Sequence, residues 1–173
     1  MATAVRVARK QDSWARGGNL RHASDALRDG GFVLELMEAC QTVVEHCADE
    51  LKGDRQFMLK AVGLLGMSLC HATEALNDDC ELAAEAIKQD SSCYTYYISD
   101  RLKADPQLAA MAAAGGQFRW GMPDNIAGSR GAMLAVVGAD GGCLRYAPEA
   151  LRADREVVLA AVRQAGGLQT LDT

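Results

Sequence analysis

Apolar residues recur along this chain as doublets that lie four residues apart. Two doublets at this spacing form one stripe of an α-helix, whereas a β-strand would show strict alternation. Such segments return at intervals of about twenty-five residues, a period that is typical of repeat architectures. They predict six amphipathic helices. Their apolar positions are Phe32, Val33, Leu36, Met37, Cys40; Phe57, Met58, Ala61, Val62, Leu65; Leu82, Ala83, Ala86, Ile87; Leu108, Ala109, Ala112, Ala113; Ala132, Met133, Val136, Val137; and Val157, Val158, Ala161, Val162, Ala165.

A residue that suits the first turn of a helix precedes each of these segments. Aspartate and serine side chains accept hydrogen bonds from the free N–H groups of that turn, and an aspartate also faces the positive end of the helix dipole. The predicted capping residues are Asp29, Asp54, Asp79, Asp105, Ser129 and Asp154.

The three prolines agree with this division of the chain. Pro106 directly follows a predicted cap, at the first position of a helix. Pro123 and Pro148 precede Asp124 and Glu149, where a shorter helix should begin. Proline is tolerated in a first helical turn and is damaging inside a helix.

A second pattern fills the stretches between the helices, where a ring side chain is followed by leucine or isoleucine, and four of the long helices end at or near a glycine. Glycine favours the left-handed conformation that closes a helix, so these glycines are predicted helix ends. They are Gly66, Gly115, Gly141 and Gly166. The ring positions, separated by 24, 25, 26, 23 and 26 residues, are His22, His46, His71, Tyr97, Trp120 and Tyr146. The following apolar positions are Leu27, Leu51, Leu76, Leu102, Ile126 and Leu151.

Together the patterns describe a unit made of a short helix, a tight turn and a longer helix. A single unit buries too few apolar side chains to offset the entropy lost on ordering it, so neighbouring units must cover one another. We therefore predict an all-α fold, a helical-repeat solenoid of the right-handed type with about six helix-turn-helix units of about 25 residues. Residues 17–173 should form a single helical-repeat domain, and residues 1–16 a degenerate or frayed amino-terminal segment.

The segment from Leu144 to Gln164 reads Leu-Arg-Tyr-Ala-Pro-Glu-Ala-Leu-Arg-Ala-Asp-Arg-Glu-Val-Val-Leu-Ala-Ala-Val-Arg-Gln. This pattern resembles the short α-helical repeat family known as domain of unknown function 4116. The likeness runs from about Gly17 to Gly167 and is clearest in the last unit and in Leu51–Thr73. The resemblance implies tandem helical pairs with no established activity, so it implies no catalytic residues.

Composition narrows the range of functions. Hydrophobic residues make up 49% of the chain and charged residues 24%, which are ordinary values for a globular domain. The net charge of -5 argues against nucleic acid as a main partner, and we expect no membrane span because no apolar run is long enough. Six cysteines without a secretion signal favour the cytoplasm. The basic start of the chain, free of acid before Asp12, leaves organelle import as an alternative.

Candidate chemistry is sparse. Histidine and cysteine adjoin twice, as His46-Cys47 and Cys70-His71, but a zinc site needs four converging ligands. The ring positions are therefore interpreted as semi-buried rings with a bonded polar edge. Cys80 follows a predicted cap, where a helix amino terminus lowers a thiol pKa, so a redox role there or at Cys93 is the alternative to incidental thiols.

These observations predict a non-enzymatic protein–protein interaction or scaffold module, or a subunit of a larger assembly. Its partner would be another protein or a second copy, with no catalytic residue, metal or cofactor. The alternative is a small-molecule or metal binder that uses the ladder of ring positions. The candidate binding residues are accordingly His22, His46, His71, Tyr97, Trp120 and Tyr146.

Overall fold

The computed structural model describes residues 26–166 of the chain. Every regular element in this part is a helix, and it contains no strand. The predicted all-α class is therefore confirmed. The predicted segment 1–16 and the ring position His22 lie outside the described residues.

Six helices of eight or more residues organise the described part, and their first residues are 24 to 26 positions apart. They are α1 (Gly30–Met37), α2 (Arg55–Leu64), α3 (Cys80–Gln89), α4 (Pro106–Ala114), α5 (Arg130–Ala139) and α6 (Arg155–Gly166). Short α-helices or 3-10 helices lie around them. These are Ala26–Arg28, Val43–His46, Asp49–Lys52, Gly66–His71, Glu74–Asn77, Cys93–Tyr96, Asp100–Lys103, Gln117–Trp120, Asp124–Ala127, Gly141–Tyr146 and Glu149–Arg152.

All six predicted caps are confirmed by hydrogen bonds. At Asp79, one carboxylate oxygen accepts from the backbone N–H groups of Glu81 and Leu82 at 3.0 and 3.1 Å. Four other aspartates accept the same pair of bonds, whereas Ser129 accepts one, from Ala132 at 3.4 Å. The four are Asp29, Asp54, Asp105 and Asp154.

The prolines also occupy their predicted places. Pro106 is the first residue of α4. Pro123 and Pro148 immediately precede the short helices Asp124–Ala127 and Glu149–Arg152. These three helices thus begin where the local sequence predicts.

Consecutive long helices pack against each other, from α1 and α2 through to α5 and α6. In α5, the first residue of each doublet packs towards the preceding helices and the second packs towards α6. Ala132 and Val136 belong to the core shared with the preceding helices, whereas Met133 and Val137 pack with residues of α6. The alanine-rich α4 makes an extensive contact with α5, and its Ala109 and Ala112 are fully buried.

One part of the predicted apolar stripe is not buried. Val162 and Ala165 of α6 are exposed, Val162 to 44%. Within residues 26–166, α6 packs against a long helix on one side only, so the stripe that faces away from α5 is uncovered.

The left-handed conformation predicted for the glycines is wrong at three of them. Among the described residues, Gly116 alone has a φ in the left-handed region, at 79°, so Gly66, Gly115 and Gly141 are not left-handed caps. A Cβ atom on Gly141 would instead lie 2.5 Å from the carbonyl oxygen of Ala161 in the next long helix. Close approach between units excludes a side chain there.

Ser91 lies at an equivalent close contact, but there the glycine is the facing residue. Gly66 and Gly141 are related to position 91 by steps of 25 and 50 residues, but the chain has a serine there. The facing residue is Gly115, which directly follows α4, and a Cβ on it would lie 2.5 Å from Cβ of Ser91. One of the two facing residues must therefore be a glycine. Here the glycine is Gly115, at the carboxyl end of α4.

Candidate functional site

Arginines at the first position of two long helices join consecutive units. The Nε of Arg55 donates to Asp79 at 2.7 Å, and its Nη2 donates to Glu81 at 2.5 Å. Arg130 makes the same bonds in the carboxyl-terminal pair of units. Its partners are Asp154 at 2.8 Å and Glu156 at 2.6 Å.

Each arginine also changes the acid–base behaviour of the cap that it contacts. Its hydrogen bond lowers the pKa of Asp79 in one joint and that of Asp154 in the other. The cap therefore stays ionised while it binds the first turn of its own helix and the arginine of the preceding unit. These joints were not predicted from the sequence. A usable signal was present, because a glutamate lies two residues after the cap and an arginine lies one unit earlier.

Backbone bonds between short helices form a second joint. The residue before a short helix donates its N–H to a carbonyl in the preceding unit's short helix. The bonds are Ala48 N–H to Leu27 O at 3.1 Å, Thr73 N–H to Lys52 O at 3.2 Å, and Ser99 N–H to Asn77 O at 3.1 Å.

The next unit cannot repeat this bond, because the residue before its short helix is Pro123, which has no N–H. The Lys103 carbonyl, in the place of the earlier acceptors, accepts a bond from the hydroxyl of Tyr94 at 2.6 Å. Tyr94 is fully buried and meets Phe118 edge to face at 5.4 Å. Burial raises the pKa of Tyr94 to about 12, so the hydroxyl remains a donor at neutral pH.

A cleft of about 350 Å³ opens at this junction, between the short helices Asp100–Lys103 and Asp124–Ala127. Charged and neutral side chains both line it, and Lys103 Nζ is 3.0 Å from Asp100 Oδ1. The lining residues are Tyr94, Thr95, Asp100, Lys103, Pro123 and Asn125. We call this site the Pro123 cleft. It was not predicted from the sequence, since proline at this position indicated only a helix start.

Exposed aromatic side chains adjoin the Pro123 cleft in sequence. Trp120 is 92% exposed and Tyr96 is 72% exposed, although both have large apolar surfaces. The Gln117 amide donates to the Thr95 hydroxyl at 2.8 Å, which ties the segments that carry them. Exposed aromatic rings beside a cleft are typical of interaction sites, because they bury much apolar area at little entropic cost.

The predicted ring positions differ in their exposure to solvent. His46, His71, Tyr97 and Tyr146 are half-buried, whereas Trp120 is exposed, so the prediction of a semi-buried ring is wrong there. The hydroxyl of Tyr146 donates to a backbone carbonyl one unit earlier, that of Arg119, at 2.9 Å. This bond gives Tyr146 the predicted structural role.

His71 titrates in an environment that disfavours its charged form. Burial lowers the pKa of His71, and the charge of His46 contributes in the same direction. Residues 26–166 contain no group of three or more histidine, cysteine or acidic side chains that could hold a metal ion. His46 and His71 are thus neighbours without the ligand set of a zinc site.

The described cysteines are free thiols that differ in their exposure to solvent. Cys40 is half-buried, and Cys70 and Cys80 are exposed; Cys47, Cys93 and Cys143 are buried. Burial raises the pKa of Cys93 to about 11 and that of Cys143 to about 12. Cys93 is therefore protonated at neutral pH and lacks the thiolate that a redox role requires.

Together these features define an all-helical structure over residues 26–166, in which the capped long helices pack on one another in chain order. No helix among the described residues is long and apolar enough to cross a membrane. A family model described as domain of unknown function (DUF4116) matches residues 29–77 and 130–168, just over half of the chain, and the chain belongs to that family. No curated protein and no solved structure matches it. The Pro123 cleft lies between the two matched segments.

Proposed function

We propose that this chain is a non-enzymatic protein-interaction or scaffold module, and that the Pro123 cleft with Trp120 and Tyr96 is its binding surface. The observation that carries the proposal is that two large exposed rings lie within three residues, along the chain, of residues that line the cleft. Rigid helices on both sides position the surface, which reduces the entropy cost of binding. The partner is another protein or a second copy, and six cysteines that favour a reducing compartment support a cytoplasmic location.

We further propose that the architecture is a right-handed solenoid of about six units of about 25 residues. Three regularities support it. Long helices begin at a nearly constant interval, consecutive ones are in contact, and the Arg55 joint recurs at Arg130. Stacks of this kind present extended surfaces that bind other proteins.

The binding proposal is tested by affinity capture from the native source with three immobilised forms of the full chain. These are the wild type, a Trp120→Ala/Asn125→Ala variant of the cleft, and a Leu64→Ala control that truncates an apolar side chain exposed to 53% elsewhere. We expect wild type and control to retain the same proteins and the cleft variant to lose them. Equal recovery on all three forms would reject the cleft as the binding surface.

The alternative function is a small-molecule or metal binder that uses the His/Tyr/Trp ring positions. Native mass spectrometry of the purified chain, with and without a chelator, separates the two functions. A bound mass that disappears with chelator, or on substitution of His46 and His71, would favour the alternative. An unchanged mass together with cleft-dependent capture would favour the interaction module.

A further inference from the structure

One face of α6 resembles faces that are covered elsewhere in the molecule. Met133 and Val137 of α5 are fully buried because α6 packs on them. The corresponding residues of α6, 25 positions later, are Val158 and Val162. Val158 is half-buried and Val162 is 44% exposed, and Leu159 beside them is 37% exposed. Within the described residues, this face is an apolar surface on which no long helix is packed.

An arginine stands at the amino end of the same face. Arg155 is the first residue of α6, as Arg55 and Arg130 are the first residues of α2 and α5. Those two each bind an aspartate cap and a glutamate in the following unit. Among residues 26–166, Arg155 has no acidic side chain within 4 Å. The face of α6 therefore combines an uncovered apolar stripe with an arginine of the type that joins units.

The helices that occupy the equivalent faces share a sequence. The helix that meets Arg55 begins Asp79-Cys80-Glu81-Leu82, with Ala86 one turn later. The helix that meets Arg130 begins Asp154-Arg155-Glu156-Val157, with Ala161 one turn later. The common pattern is an aspartate cap, a glutamate two residues on, an apolar residue, and an alanine four residues after it. The two acids bind the arginine, and the apolar residue is buried in the core. The backbone of the alanine lies close to a glycine of the preceding unit, which is Gly66 for Ala86 and Gly141 for Ala161.

We propose that the outer face of α6 docks an amphipathic helix from a partner protein, and that this helix begins with the Asp-x-Glu pattern. The inference rests on the interaction function proposed above and adds a second surface with a defined partner chemistry. Charge complementarity identifies the occupant, since both joints in the chain pair an arginine with this acid pattern. A second copy does not fit, because its two helices of this pattern are already bound by their own arginines, and α1 begins Asp29-Gly30-Gly31.

The proposal is tested with the full chain and a fluorescein-labelled peptide of residues 142–166, which carries Asp154 and Glu156. We expect the wild type to bind this peptide and the Arg155→Gln variant to bind it about tenfold more weakly. Arg163→Gln removes an equal charge from an exposed position of the same helix and should leave the affinity unchanged. A peptide with Asp154→Asn and Glu156→Gln should lose the same affinity as the Arg155 variant.

A covered form of the protein supplies the second control. Insertion of a second copy of residues 142–166 after Gly166 would place an Asp-x-Glu helix on the α6 face and should abolish peptide binding. The proposal is overturned if the wild type does not bind the peptide, or if Arg155→Gln and Arg163→Gln bind it equally. It is also overturned if sedimentation shows that the wild type dimerises through Val162, because a second copy would then be the occupant. Capture of proteins that depends on Trp120 is a separate measurement. If that capture is observed while the peptide test fails, only the proposal for the α6 face is rejected.

Discussion

Substitution of Gly141 by alanine tests whether consecutive units approach as closely as the structure indicates. The added Cβ would lie 2.5 Å from the carbonyl oxygen of Ala161 and 3.2 Å from its carbonyl carbon, both backbone atoms of α6. Neither atom can rotate away, so α6 must shift. The shift would also disturb the bond of 2.9 Å from the Gly141 N–H to the Gln164 side chain.

The expected cost follows from two opposing effects. Overpacking at a rigid contact costs about 1–3 kcal/mol. The reduced entropy of the unfolded chain returns about 0.4–1 kcal/mol. We expect a net loss of about 1–2 kcal/mol, which for a chain of this length corresponds to a fall in Tm of about 2–8 °C.

Gly138 provides the matched control, since it lies in the same repeat and the same substitution meets nothing. It is an exposed residue within α5, and a Cβ there has no atom within 4 Å. Alanine is favoured over glycine inside a helix by about 0.5–1 kcal/mol, so Gly138→Ala should be stabilising. Urea unfolding followed by circular dichroism measures both variants. If Gly141→Ala were as stable as Gly138→Ala, the close contact with α6 would be refuted.

Three further predictions concern other joints. Tyr94→Phe should cost about 1–2 kcal/mol, because the Lys103 carbonyl loses its donor, and an added Pro123→Ala should recover part of this in urea unfolding by restoring an N–H. Asp79→Asn should flatten the pH dependence of stability. Because the pKa of Asp79 is lowered in the folded state, its contribution to the free energy of unfolding is complete above the ordinary pKa of about 3.9. That contribution is lost as the pH falls through the pKa of the folded state, which urea titrations from pH 7 to 3 would show. Cys93, with its pKa raised to about 11, should react with iodoacetamide at pH 8 only after unfolding, as mass spectrometry would report.

Each of these predictions has a control within the chain. Tyr96→Phe alters a ring that is 72% exposed and should not change stability. Asp49→Asn removes the same charge from a carboxyl group that is 96% exposed and is the control for that substitution. Exposed Cys80 should be labelled in the folded protein, and equal labelling of Cys93 would contradict its burial. A stability for Tyr94→Phe equal to that of the wild type would show that the Lys103 carbonyl needs no donor.

Local interactions explain why so much of the helical framework could be predicted. A cap such as Asp54 binds N–H groups only two and three residues away, so its role is legible from neighbouring sequence. Doublets four residues apart share a face of any α-helix, wherever that helix lies. The family resemblance rested on these same local features and was confirmed.

The candidate site depended on contacts that local sequence does not specify. Nothing around Tyr94 indicates that its hydroxyl meets a carbonyl nine residues later, or that Pro123 leaves a cleft there. The ring pattern likewise grouped Trp120 with half-buried residues, although its side chain is almost wholly exposed.

The sequence by itself determined where each long helix starts and which of its faces is apolar, because those properties follow from hydrogen bonds and side-chain directions within one or two turns. The tertiary structure decided what each repeated position is for. Gly141 is a glycine because of an atom of Ala161, twenty residues away, and Arg55 is ionically bound because Asp79 lies in the next unit. Such distances depend on how two helices are placed relative to each other, and only the packed chain fixes that placement.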